Sequence, residues 1–150
     1  MRTTLLIIHI LAAGTWIGAN VTQLALERRM SADGGPTAAT WQRSRAFLGK
    51  SVYPAAAVTL LITGIWLVID SAVYDWENAF VAIGFLMVAI GAGLGIAVMG
   101  PLSERAVAIH DTGQDMNELP KVTSRLQMWG GFDTLLLVIT VAAMTGKWGV

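Results

Sequence analysis

From Thr4 to Leu26 the chain reads TLLIIHILAAGTWIGANVTQLAL, a run without a single formal charge. About 20 predominantly apolar residues in helical form cross the hydrocarbon core of a bilayer. Inside that core each backbone polar group must be satisfied within the segment, so the run is expected to be a transmembrane helix. At 100° per residue, His9, Trp16, Asn20 and Gln23 fall within roughly 60° of one another. Gly14 and Gly18 lie on nearly the opposite side, a small-residue strip that a second backbone could approach closely. A polar side chain facing lipid is costly, so the His9 face is expected to look into a bundle or cavity.

Three further segments have the same character, giving expected spans at about 4–26, 51–69, 78–100 and 126–145. Residues 1–150 then form a single all-α domain, a four-helix integral membrane bundle. Hydrophobic residues make up 55% of the chain and charged residues 13%, about half the charge of a soluble domain. The apolar run after Arg2 is longer than the h-region of a cleaved signal, so it is expected to remain as a span. With a net charge of zero there is no electrostatic case for nucleic acid. Without cysteine there is no disulfide, thiolate metal site or cysteine nucleophile.

Between the first two spans, ERRMSADGGP reads as a polar turn closed by Gly34, Gly35 and Pro36. The segment after it, with Trp41, Phe47, Arg43, Arg45 and Lys50, has the composition of an amphipathic lead-in at the headgroups. In the second span Ala55, Thr59, Thr63 and Trp66 share one face, which is expected to turn inward. The third span carries Gly84, Gly91 and Gly95, a row that serves either close helix contact or clearance for a flat ligand. Pro101 marks a kink or break, and 111–121 reads as loop.

Arg28, Arg29, Arg43, Arg45, Lys50, Arg105, Lys121 and Arg125 all fall on one side of the bundle, against Arg2 and Lys147 on the other. The positive-inside rule then puts both basic hairpins in the cytoplasm and both termini outside it.

Counting depth along the helices gives two polar layers. His9 lies about 9 Å to the outer side of its helix midpoint, with Trp66 at a similar height and Met144 slightly further out. On the inner side, Asn20 and Asp133 come within roughly 4 Å of each other in depth, with Gln23 close by. His9 has three readings: a haem-iron or copper ligand, a proton relay, or a hydrogen bond to Thr63 or a backbone carbonyl that joins two helices. Met144 is either a second, soft ligand or core filler. Trp66 is expected to wall the pocket. Asp133 is the one carboxylate well inside a span, where burial favours its neutral form. It is read either as a protonated partner of Asn20 or as a proton relay. Arg125 lies two turns before it and is expected to snorkel or to form a buried pair with it. His110 falls on the opposite membrane side from His9, so the two are not expected to share a ligand.

HILAAGTWIG, with His9, Trp16 and Gly18, resembles the first-helix pattern of the copper-resistance D-like membrane proteins. It is also similar to that of the related four-helix bacterial protoporphyrinogen oxidases. LLITGIWLV and AAMTGKW are most similar to uncharacterised members of this group. The resemblance implies a four-helix bundle in the bacterial cytoplasmic membrane and a haem b or copper site at His9. The oxidases use a lysine in a later helix, and the third span here has none; QLALERRM stands where they carry a basic-aromatic stretch. Porphyrinogen oxidation is therefore not expected. Two function classes follow: a small haem- or copper-binding membrane protein in redox or metal handling, or a cofactor-free accessory subunit. The lipid bilayer is the expected partner, with a homo-oligomer or a larger membrane complex as further candidates.

Overall fold

A computed structural model describes residues 1–33 and 35–149. The helices are α1 (Arg2–Ala32), α2 (Gly35–Phe47), α3 (Tyr53–Ile69), α4 (Ala79–Leu94), α5 (Gly100–Thr112) and α6 (Leu119–Gly146). There is no strand among the described residues. Wider, π-type turns at Leu48–Val52 and Gly95–Met99 join α2 to α3 and α4 to α5 without a break. The result is four rods, α1, α2–α3, α4–α5 and α6, each long and apolar enough to cross a membrane. Neighbouring rods are antiparallel and pack in cyclic order, α1 against α3 and α6, and α4 against α3 and α6. The protein is a four-helix, multi-pass membrane bundle.

All four helices outrun their expected spans. The rods contain 31 to 35 residues, about 45–50 Å of helix, against a hydrocarbon core of about 30 Å. The excess lies mainly at the basic end. ERRMSA is not a turn but the last turns of α1, because nothing before Asp33 breaks a helix. The reversal that follows leads into Gly35, whose φ of +48° lies in the left-handed region; Gly34 lies outside the described residues, as does Val150. The expected loop at 111–121 shrinks to Gly113–Asp115, with helix on both sides.

Neither inner proline breaks its rod. A proline within a helix removes one N–H and pushes its ring against the carbonyl four residues earlier. Widening the turn accommodates both effects. Tyr53 N–H bonds Leu48 C=O immediately before Pro54, and Gly100 N–H bonds Gly95 C=O immediately before Pro101, each five residues back rather than four.

The inner face of α3 is turned about one residue from the expected one, roughly 100°. Ala56, Ala57, Leu60 and Thr63 are buried, whereas Ala55 and Trp66 are exposed. The apolar centre of the bundle joins Ala12 and Trp16 of α1 to Leu60 of α3, Met87 and Val88 of α4, and Leu137 of α6.

The glycines divide by surroundings. At Gly91 a Cβ would fall 2.8 Å from the Trp16 ring and 3.1 Å from Asp133 Oδ1, so this part of the row serves close contact. At Gly84 it would meet the Met144 methyl at 2.5 Å. Gly14 and Gly18 have nothing within 4 Å of where a Cβ would lie, so this strip faces outward from the bundle. Gly91→Ala is therefore expected to destabilise the protein by about 1–3 kcal/mol through overpacking. Gly14→Ala and Gly18→Ala should stay within about 0.5 kcal/mol of the parent. Thermal unfolding in detergent checks the contrast.

Candidate functional site

Two polar regions flank the apolar centre. At the end holding both termini, all four rods enclose a cavity of about 440 Å³. This falls within the usual size range of small-molecule sites. His9 of α1, Leu60 and Gly64 of α3, Gly84 of α4, and Thr140 and Met144 of α6 are on its wall.

His9 Nδ1 lies 2.8 Å from Thr63 Oγ1, whose hydroxyl also reaches the Thr59 carbonyl at 2.6 Å and the Leu60 carbonyl at 3.4 Å. Where the Thr63 proton goes to Thr59, Nδ1–H is the donor of the contact and Nε2 carries the lone pair; where it goes to His9, the roles of the two nitrogens exchange. The ring itself lines the cavity. Gly64 makes room for this arrangement, because a Cβ there would sit 3.4 Å from His9 Cε1. A ring nitrogen anchored on one side with a basic nitrogen on the other is the arrangement of metal-ligating histidines.

Met144 lines the same cavity, pressed against Gly84. Trp66 does not: it is 48% exposed on the outer side of α3 and contributes nothing to the wall. An aromatic near the end of a span is well placed at the lipid interface. At the cavity mouth, Arg2 and Lys147 both approach the Tyr74 ring, at 5.7 and 5.0 Å from its centroid. No sequence signal marks this feature, because the two cations are distant in the chain and meet only when both termini converge.

On the other side of the apolar centre lies a continuous buried polar network. Asp133 Oδ2 accepts from Trp16 Nε1 at 2.9 Å and from Asn20 Nδ2 at 2.7 Å. The expected Asn20–Asp133 contact is thus present, with Trp16 as a third member. Asn20 Oδ1 accepts from the Tyr53 hydroxyl at 2.7 Å, and that hydroxyl accepts from Gln23 Nε2 at 2.6 Å. Gln23 Oε1 accepts from Arg45 Nε at 3.0 Å, and Arg45 pairs with Glu27. Glu27 also accepts from Trp41 Nε1, Gln42 Nε2 and Ser31 Oγ.

Arg45 and Glu27 are 5% and 2% exposed, so Arg45 does not snorkel at the headgroups; it is the cation of a buried ion pair. Arg125, the expected partner for such a pair, is exposed, and no salt bridge to it occurs among the described residues. Glu27 had a legible signal. It falls on the same helical face as His9, Asn20 and Gln23, being five full turns from His9. His110 lies at the basic end on α5, and its Nε2 is buried without a partner among the described residues.

Among the described residues no three or more His, Cys, Asp or Glu side chains come together as a metal-ion cage. No family model, curated protein or solved structure matches the chain.

Removing one member of a buried pair leaves an unpaired charge, so Arg45→Ala should cost about 3–5 kcal/mol. Replacing both partners, as in Glu27→Gln with Arg45→Met, should cost clearly less. Unfolding of the single and double variants in detergent measures the difference.

Proposed function

We propose that the chain is a small haem-binding membrane protein, with His9 Nε2 as the ligand to the iron of a b-type haem in the outer cavity. The observation that supports this reading is the 2.8 Å Thr63–His9 contact on the wall of an apolar cavity: with Nδ1–H as its donor, Nε2 is the basic nitrogen. The other features of the site favour haem over a bare copper ion. A copper ion draws all its ligands from the protein, and the cavity offers only His9 and Met144 as soft donors. A porphyrin brings four nitrogens of its own and needs one or two axial ligands. Its flat apolar body suits the apolar wall, which includes Phe80 and Phe85, and its propionates suit Arg2 and Lys147. The chemistry such a group supplies when bound is one-electron exchange.

Within this reading each residue has a task. His9 holds the iron, Thr63 fixes the imidazole tautomer, and Met144 is the candidate second ligand. Asn20 and Asp133 belong to the buried network and bind no metal. The excess of Lys and Arg at one end supports an orientation with both termini outside the cytoplasm, and the resemblance of the first helix is what suggests a bacterial membrane.

Protein purified after growth with haem precursor and copper should show a Soret band. The band should vanish in His9→Ala and persist in His110→Ala. Thr63→Val should weaken haem retention by about 10–100-fold, as happens when a ligating histidine loses the group that orients it. Stoichiometric copper without a Soret band would put copper in place of haem. Absence of both from folded, precursor-supplied protein would overturn the site and leave the accessory-subunit reading.

Orientation has its own check. Cysteines introduced at Ser31 and Thr112 should be labelled only from the cytoplasmic side, and one at Ser71 only from outside. Reversal of this pattern would sink the assignment.

A further inference from the structure

Asp133 is 3% exposed, yet its two carboxyl oxygens are treated very differently. Oδ2 takes both available donors, the Trp16 indole and the Asn20 amide. Oδ1 is buried and meets no hydrogen-bonding group among the described residues. It lies close to Gly91, where a Cβ would fall 3.1 Å from it. A second, smaller cavity of about 60 Å³ is lined by Asp133, Asn20, Tyr53, Gly91, Lys50 and Ser103.

The charges around Asp133 can be taken element by element. From α1 come Trp16 and Asn20, both neutral. From α3 comes the Tyr53 phenol, engaged with Asn20 and Gln23. From α4 comes Gly91, without a side chain, and from α5 Ser103. The turn between α2 and α3 brings Lys50, but its Nζ pairs with Glu104 at 2.9 Å and both side chains are mostly exposed. The buried cation Arg45 is engaged by Glu27 and Gln23. No cation among the described residues therefore compensates a charge on Asp133, and an isolated carboxylate so deep in low dielectric is costly.

We infer that Asp133 is a proton-binding site, loaded at Oδ1 through water in the small cavity from the end that carries Lys50 and Glu104. A water needs roughly 10–15 Å³ of such space and two to four polar partners. The cavity has the volume, and Asp133, Asn20 and Ser103 are on its wall, with Oδ1 buried beside it. The step is a simple proton transfer: a hydronium at the basic end gives its proton through the water to Oδ1, forming the neutral acid and leaving water behind. Release runs by the same path in reverse. Oδ2 stays bonded to Trp16 and Asn20 in both states, so the site can change charge without losing its anchor. The apolar layer of Ala12, Leu60, Val88 and Leu137 separates this site from the His9 cavity, so access is from one side only. The inference stands independently of any cofactor at His9.

Infrared difference spectroscopy on the full chain in liposomes tests it, with transfer into deuterium oxide as the probe. The parent should show a protonated-carboxyl band that is absent from Asp133→Asn and shifts on transfer to deuterium oxide. Filling the cavity with Ser103→Val or Ala46→Leu, both on its wall, should slow that shift by roughly tenfold or more while leaving thermal unfolding unchanged. Having two filling variants guards against either one failing to fold. A carboxylate that stays ionised, a band that never exchanges, or exchange at the parent rate in both folded filling variants would each overturn the inference.

Discussion

Hydrocarbon offers a buried polar side chain no hydrogen bond, so each one in a span must find its partner on a neighbouring helix. Here the demand is concentrated on one face of α1. His9 reaches Thr63 of α3, Trp16 and Asn20 reach Asp133 of α6, Gln23 reaches Tyr53 and Arg45, and Glu27 reaches Arg45, Trp41 and Gln42 of α2. These bonds hold α1 in one rotation against three other elements. Lipid-facing apolar residues favour no rotation in particular, because lipid tails are as apolar as the core itself. The polar face thus selects the arrangement, and the small residues at the contacts allow the backbones to come together.

The network also explains how the chain tolerates an ion pair and a carboxyl away from water. Glu27 receives three donors besides Arg45, so its charge is spread over several hydrogen bonds as well as the ion pair. Such pairs add little net stability but are costly to leave half-made. Their value here lies in specifying how the α2 extension docks on the end of α1. The opposite end is built differently. Its cavity has a single histidine, walls that are mostly apolar and include Tyr74, Phe80 and Phe85, and two cations, Arg2 and Lys147. One bundle therefore carries a densely bonded polar half, with a few unpartnered atoms such as Asp133 Oδ1, and a half built around His9.

Fold class, number of spans and the inward face of α1 were legible because helical period and bilayer thickness are strict constraints on an uncharged run. The Asn20–Asp133 contact was legible for a related reason: depth along a helix follows directly from residue number. Rotation was less accessible. The Ala55–Trp66 face of α3 is nearly as apolar as the face that is buried, so periodicity could not choose between them. Trp66 accordingly left the pocket, Ala56, Ala57 and Leu60 took inner positions, and Thr63 kept the one expected for it. The ends of the helices were not legible, because polar composition suits a turn and an extended helix alike. A helix that runs beyond the membrane needs no apolar residues to continue, and α1 stops only where its chain reverses.

By itself the sequence determined that this chain crosses a membrane four times, which face of α1 turns inward, and which few side chains could carry chemistry. Only the tertiary structure decided what those side chains do. That His9 meets Thr63 at all depends on the rotation of α3 against α1. Whether Arg45 meets water or Glu27 depends on the docking of α2. Pattern and spacing act along one helix, whereas hydrogen bonds between helices depend on rotations that the bundle settles only as a whole.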